Sequence, residues 1–140
     1  MMMLRPHLCL PLTAAVLCLP AAAQEQALPP QIASVFDTYT ALPDVLLPPL
    51  RAAKDKASAD AAAPQLKAAL EKLYDARTQM QTLTSLSPAE KEAVEKHYGL
   101  KMRQQWGKVY EEMFRIQKEK CFGSAEFGKL YSIMGLMLGK

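Results

Sequence analysis

Residues 66–83 read LKAALEKLYDARTQMQTL. Their apolar side chains recur at alternating intervals of three and four residues, which places one apolar stripe along one face of an α-helix. The stripe consists of Leu66, Ala69, Leu73, Ala76, Met80 and Leu83. A narrow stripe of this kind is typical of a helix that packs against other helices. We therefore predict a helix over 66–83 that belongs to a helical bundle.

The residues that follow predict a second long helix. Residues 87–90 read SPAE, which has the form of a capping box with proline at the first helical position. From there to about Lys120, one broad face carries Val94, Tyr98, Met102, Val109, Met113 and Ile116. Gly99 and Gly107 each weaken this helix by about 1 kcal/mol relative to Ala, which favours a bend at either one. Because the connection is short, we predict that helices 66–83 and 88–120 are antiparallel neighbours.

Prolines interrupt the sequence before these two helices. Residues 31–39 predict a short helix that buries Ile32, Val35, Phe36 and Tyr39. Pro43 and the pair at 48–49 then divide an apolar stretch, so we expect a short helix or turn before Pro48 and a new helix start near it. Ser58 or Asp60 is expected to cap the next helix, with Pro64 in or near its first turn.

The last segment, 124–138, is a further amphipathic helix. One side carries Phe127, Leu130, Tyr131 and Met134, together with Met137 or Leu138. Ile133 and Leu136 fall on the other side, so the segment is either buried all round or presents an apolar surface to a partner. The predicted fold is therefore all-α, a three- to four-helix bundle built on a long antiparallel helical hairpin.

The first 23 residues have the features of a signal peptide. Arg5 precedes an apolar run over 8–19, and residues 21–23 are all alanine, which signal peptidases accept at the cleavage site. The run is about a dozen residues long, against the roughly 20 that a membrane-spanning helix needs. We expect the mature chain to begin at Gln24, with a flexible entry over 24–30, one helical domain over 24–140 and no transmembrane segment.

Composition narrows the range of functions. Loss of Arg5 with the leader leaves 16 basic and 14 acidic residues, a net charge of about +2. This balance gives no support for nucleic-acid binding. The leader indicates export to the periplasm or beyond the cell.

Cys121 is the one cysteine of the expected mature chain, since Cys9 and Cys18 lie in the leader. In an oxidising compartment such a residue is buried, paired between chains or reactive. Burial is favoured because unpaired cysteine behaves as a small apolar residue. Gly123 and Ser124 indicate a turn beside it, where a thiol of a second copy could pair with it in a homodimer.

The sequence gives little sign of catalytic or cofactor chemistry. His97 is the one histidine of the expected mature chain, and one imidazole cannot build a multi-ligand metal site. A helical bundle can also hold haem between one His and one Met without covalent attachment. The methionines for that alternative are Met80, Met102, Met113, Met134 and Met137. We expect a protein that is not an enzyme and carries no cofactor or metal.

Two surface features bear on partners. Trp106 is offset from the main apolar face, so we expect it to pack against the C-terminal helix or against a partner. The predicted partner surface consists of Trp106, Phe127, Leu130, Tyr131 and Met134. Lys101, Lys108 and Arg115 recur every seven residues. This stripe would attract an acidic partner or form a solvated face. The balanced net charge favours the solvated face.

Two stretches resemble other exported proteins. Residues 54–70 read KDKASADAAAPQLKAAL and residues 86–98 read LSPAEKEAVEKHY. Both are similar to uncharacterised small exported helical proteins of Gram-negative-type bacteria, a resemblance that implies fold and location but no functional residues. The start of the second stretch, LSPAE, also resembles the Leu-Thr-x-x-Gln helix start of periplasmic stress-type helical chaperones.

Three functional hypotheses follow from these observations. The first is an exported, non-enzymatic protein with a protein-binding or structural role. The second, which the chaperone resemblance implies, is a cradle for unfolded clients in the periplasm. The third is a bundle that binds haem or another small ligand.

Overall fold

The structure is a computed structural model that describes residues 27–83 and 85–139. It contains the helices α1 (Pro30–Ala52), α2 (Lys56–Thr82), α3 (Pro88–Val94), α4 (Leu100–Lys118) and α5 (Ala125–Leu138). A π-helical turn, Glu95–Gly99, joins α3 to α4, and a 3-10 turn, Lys120–Gly123, joins α4 to α5. The described residues form no strand, and the predicted all-α bundle is confirmed. The predicted leader, 1–23, lies outside the described residues, as do residues 24–26 of the predicted flexible entry.

Side-chain caps begin three of the helices. Ser87 and Glu90 form the predicted capping box at the start of α3. At α2 the prediction was wrong: Asp55 is the cap, and its carboxylate accepts the Ser58 N–H at 2.8 Å. The Ser58 hydroxyl in turn accepts the Asp55 N–H at 3.0 Å, which completes a second capping box. Because α2 begins at Lys56, Pro64 lies inside the helix.

Helix α1 is continuous through Pro43, Pro48 and Pro49, so the predicted interruption near Pro48 is wrong. Each interior proline lacks an N–H and costs a helix about 3 kcal/mol or more. Burial of apolar side chains offsets this cost. Along α1, the side chains of Leu42, Leu46, Leu47 and Leu50 are all buried, and Leu46 and Leu50 have no exposed surface. Tertiary packing therefore holds a helix that local preference alone would break.

The long antiparallel hairpin is formed by α1 and α2. Helix α1 packs against both α2 and α4, while α2 packs against α1 and α5. The predicted neighbours 66–83 and 88–120 are therefore not the principal pair, and this part of the prediction is wrong. The physical reason is that α1 is an unbroken helix of 23 residues, which lies between α2 and α4 and packs against both. The helices succeed one another around the bundle in the order α4, α1, α2, α5.

Two pairs of helices run parallel. Helix α1 runs alongside the π-helical turn and α4: Phe36 stacks on Tyr98 of that turn and Tyr39 stacks on Trp106 of α4, with ring centroids 5.6 and 4.9 Å apart. Along α2 and α5, Ser124 contacts Asp60 at one end and Arg77 contacts the Met137 carbonyl at the other. The hydrophobic core lies between these two pairs of helices. Its fully buried members from the four long helices include Leu46, Leu50, Leu66, Leu73, Val109, Ile116, Phe127 and Met134.

Arg115 joins the ends of α1 and α4. Its guanidinium donates to the carbonyls of Leu50 at 2.8 Å and Ala53 at 2.9 Å, and to the Glu112 carboxylate at 2.8 Å. The same group lies over the ring of Phe122, 5.6 Å from its centroid. The last carbonyls of a helix carry partial negative charge, so a cation there stabilises the helix end. One side chain thus caps α1 and holds it against α4.

The turn between α4 and α5 has a left-handed backbone. Lys120, Cys121 and Phe122 have φ of 48°, 54° and 55°, and Gly123 has φ of 72°. Left-handed geometry costs a residue with a Cβ roughly 1–2 kcal/mol. The turn brings α5 back so that Tyr131 donates to the Met113 carbonyl at 2.9 Å. Contacts between α4 and α5 therefore offset strain in the link between them.

Replacement of Arg115 should weaken the fold. We expect Arg115→Met to lower the free energy of unfolding by about 2–3 kcal/mol, because the variant leaves the carbonyls at the end of α1 without their charged donor and removes one of the two cations that pair with Glu112. Urea unfolding would measure this. Lys108→Met, an exposed substitution on the same helix, is the control and should change the value by less than about 0.5 kcal/mol. Equal effects of both variants would contradict the role of Arg115.

Substitution by glycine should have opposite effects on the free energy of unfolding at Lys120 and at Lys108. Lys120→Gly removes the left-handed penalty and should raise the free energy of unfolding by about 1 kcal/mol. Lys108→Gly puts glycine inside α4 and should lower it by about 1 kcal/mol. Chemical denaturation of both variants would show the two signs. Destabilisation by Lys120→Gly would be inconsistent with a left-handed turn.

Candidate functional site

Most of the predicted partner surface is packed inside the chain. Phe127 and Met134 have no exposed surface, Trp106 is 6% exposed and Leu130 is 8% exposed. Tyr131 is half-buried. Contacts within this chain therefore account for these five side chains, and their binding to a partner stays a prediction. Helix α5 combines the two predicted alternatives. Most of one face is buried in the core, whereas Leu136 on the other face is 68% exposed.

Trp106 lies at the centre of an aromatic cluster between α1 and α4. It stacks on Tyr39, which lies close to both Tyr110 and Arg77. Burial first, and then Tyr110, raises the pKa of the Tyr39 hydroxyl. The indole Nε1 of Trp106 is buried without a hydrogen-bond partner in the described chain, and the Gln105 Oε1 is in the same situation. The cluster fixes α4 against α1 and buries nearly all of the Trp106 side chain.

The apolar side chains that do face solvent lie elsewhere. Among the described residues they are Tyr74, Leu100, Tyr110, Phe114 and Leu136, each between 44 and 71% exposed. They fall into two groups. Tyr74 and Leu136 flank a groove between α2 and α5, and the other three lie along α4. Tyr74 and Phe114 could have been noticed in the sequence, because each is an aromatic residue outside the apolar stripe of its own helix.

The α2–α5 groove is a surface cleft of about 470 Å³. It is lined by Tyr74, Arg77, Thr78 and Gln81 from α2 and by Ile133, Leu136 and Met137 from α5. The Arg77 guanidinium is held by the Met137 carbonyl, and the Thr78 hydroxyl donates to the Tyr74 carbonyl at 3.0 Å. The groove thus joins apolar walls to a few fixed polar groups, a combination that suits a ligand with both kinds of surface.

The outer face of α4 is the second exposed surface, and it consists of Leu100, Arg103, Gly107, Glu111 and Phe114. The spacing of these residues places them on the side of the helix away from Val109 and Ile116, which are fully buried. Arg103 forms an ion pair with Glu95 in the π-helical turn. A Cβ built on Gly107 would meet nothing within 4 Å. The middle of this face is therefore open.

Cys121 is half-buried in the left-handed turn. Its Sγ lies 3.8 Å from where a Cβ on Gly128 would stand, so the thiol packs closely against α5. Burial raises the pKa of the thiol. Reactivity follows the thiolate, and this environment disfavours the thiolate. The predicted pairing of Cys121 between chains is tested by nothing in a single chain and stays a prediction.

His97 and the methionines of the haem hypothesis occupy different environments. His97 is exposed on the π-helical turn, whereas Met134 is fully buried in the core. Met80, Met102, Met113 and Met137 are half-buried on three helices. Among the described residues there is no group of three His, Cys, Asp or Glu side chains that could hold a metal ion.

The three cationic side chains of the predicted stripe lie in different environments. Lys101 and Lys108 are exposed, whereas Arg115 is half-buried and caps α1. The stripe thus offers two solvated cations rather than three.

In the described part of the chain, no helix has the length and hydrophobicity to cross a membrane. No known protein family, curated protein or solved structure matches the chain.

The Cys121 thiol should react slowly in the folded protein. Because burial raises its pKa, we expect an aromatic disulfide reagent at neutral pH to react about tenfold slower with the folded chain than with the chain in urea. Absorbance of the released thiolate measures both rates. The folded rate should rise as the pH increases, since the thiolate then becomes more populated. Equal rates in the folded and unfolded chain would contradict a protected thiol.

Proposed function

We propose that the protein acts outside the cytoplasm as a non-enzymatic binding protein, which holds a segment of another protein in the α2–α5 groove. The observation that carries this proposal is the exposure of Tyr74 and Leu136, 62% and 68%, on opposite sides of the groove. Large apolar side chains that face one another across a cleft gain free energy when a partner covers them.

The groove suits a protein segment better than an enclosed small molecule. Small-ligand sites bury most of their ligand, whereas the two largest apolar side chains here are mostly in water. Ile133 and Met137 extend the apolar floor, and Gln81 and Arg77 place polar groups at one side. An amphipathic helix or an extended segment could place apolar side chains on the floor and main-chain carbonyls near these donors.

Export is the second part of the proposal and rests on the leader. A charged residue, a short apolar run and three alanines over 1–23 are the features that secretion machinery recognises. The near-neutral charge of the remaining chain agrees with a partner recognised by apolar contact rather than by a strong electrostatic field.

Site-specific photocrosslinking would test the proposal. A photoreactive amino acid at Leu136, in the groove, should crosslink to a partner in the producing cell, whereas the same residue at the exposed Glu126 of α5 should not. The partner identified at Leu136 is then purified. Its affinity for Leu136→Lys should fall at least about tenfold relative to the wild type, because a charge would have to be desolvated in the groove.

Two other outcomes are informative. Equal crosslinking at Leu136 and Glu126, or unchanged affinity of Leu136→Lys, would contradict the groove as the binding site. Crosslinking at Leu136 to many unrelated unfolded chains would instead favour the chaperone-type hypothesis.

A further inference from the structure

We propose that the outer face of α4 is a homodimer interface, in which α4 packs antiparallel against α4 of a second copy and the two helices cross at Gly107. This surface is separate from the α2–α5 groove, and the proposal does not depend on the proposed function. Gly107, the symmetrical placement of the residues around it and their charges support this interface.

Gly107 has no explanation within a single chain. Glycine in the interior of a helix destabilises it relative to alanine. A Cβ at this position would meet nothing within 4 Å, so no neighbour in the chain requires its absence. Gly107 also has an ordinary helical backbone, since it lies inside α4 and is not among the glycines with positive φ. A residue without a side chain on an exposed face is explained if another backbone approaches it there.

The apolar residues on this face are placed symmetrically about Gly107. Leu100 lies seven residues before it and Phe114 seven residues after it, and they are 64% and 71% exposed. In an antiparallel pair that crosses at Gly107, Leu100 of one copy therefore stands at the height of Phe114 of the other. A two-fold axis repeats this contact, which buries four large apolar side chains on both sides of the crossing. Such self-complementarity is what an isologous dimer requires.

The charged residues follow the same symmetry with opposite signs. Arg103 lies four residues before Gly107 and Glu111 four residues after it, and both are exposed. Across the two-fold axis, each Arg103 faces the Glu111 of the other copy. The ion pair of Arg103 with Glu95 in its own chain uses one nitrogen of the guanidinium, which has further donors for a second carboxylate.

The flanking charges agree with a second copy as the occupant. If this face bound a strongly charged partner, one sign would dominate it. Between Leu100 and Phe114, the two charged residues of the face instead have opposite signs and complement their own copies. The face is thus complementary to itself, and a second chain of the same sequence is the partner whose chemistry it matches.

The first test measures mass in solution. The protein produced from the full sequence should be a dimer by analytical ultracentrifugation at about 100 μM with reductant present, which excludes pairing through Cys121. Gly107→Leu should weaken dimerisation at least about tenfold by separating the helices. Its fold should remain intact by circular dichroism, because a Cβ at this exposed position meets nothing within 4 Å in its own chain. Lys108→Leu, exposed and beside the face, is the matched control and should remain dimeric.

The second test uses a charge exchange that only this interface can explain. Arg103→Glu alone and Glu111→Lys alone should each weaken dimerisation about tenfold, because each places like charges opposite one another. A mixture of the two variants restores both oppositely charged pairs in one heterodimer and should associate as the wild type does. A wild-type monomer at this concentration, a dimer that survives Gly107→Leu, or a mixture that does not associate would overturn the proposal.

Discussion

The fold depends on how the carbonyl groups at the C-terminal ends of its helices are stabilised. Because α1 and α4 run parallel, as do α2 and α5, like ends of the helix dipoles lie side by side, which is unfavourable. An arginine meets the carbonyls at one end of each pair: Arg115 binds the end of α1, and Arg77 binds the Met137 carbonyl near the end of α5. These two side chains offset the repulsion between the parallel helix dipoles and hold neighbouring helices together through hydrogen bonds.

The exposed surfaces are consequences of the same arrangement. Because α4 packs on α1 rather than on α2, the side of α4 opposite to Val109 has no helix over it within the described chain. Tyr74 of α2 and Leu136 of α5 remain in solvent along the groove that the two helices share. The chain thus covers its core on the inside and keeps two separate apolar surfaces outside. We assign one to a partner protein and the other to a second copy.

Sequence patterns predicted the local structure better than the packing. The stripe from Leu66 to Met80 and the capping box at Ser87 were correct, because both depend on neighbours within one or two turns. The unbroken α1 could not be predicted, since three prolines oppose it and only long-range burial of residues such as Leu46 restores it. Trp106 was predicted on a surface because the pattern does not show that Tyr39 covers it.

The central claim is that α4 lies parallel to α1 and in contact with it. Trp106 is the one tryptophan of the chain, so its indole protons can be assigned without ambiguity. A two-dimensional nuclear Overhauser spectrum of the protein measures which protons lie near them. We expect strong cross-peaks to the ring of Tyr39, whose centroid lies 4.9 Å away. Cross-peaks from Trp106 to side chains of α2 without any to Tyr39 would contradict this arrangement.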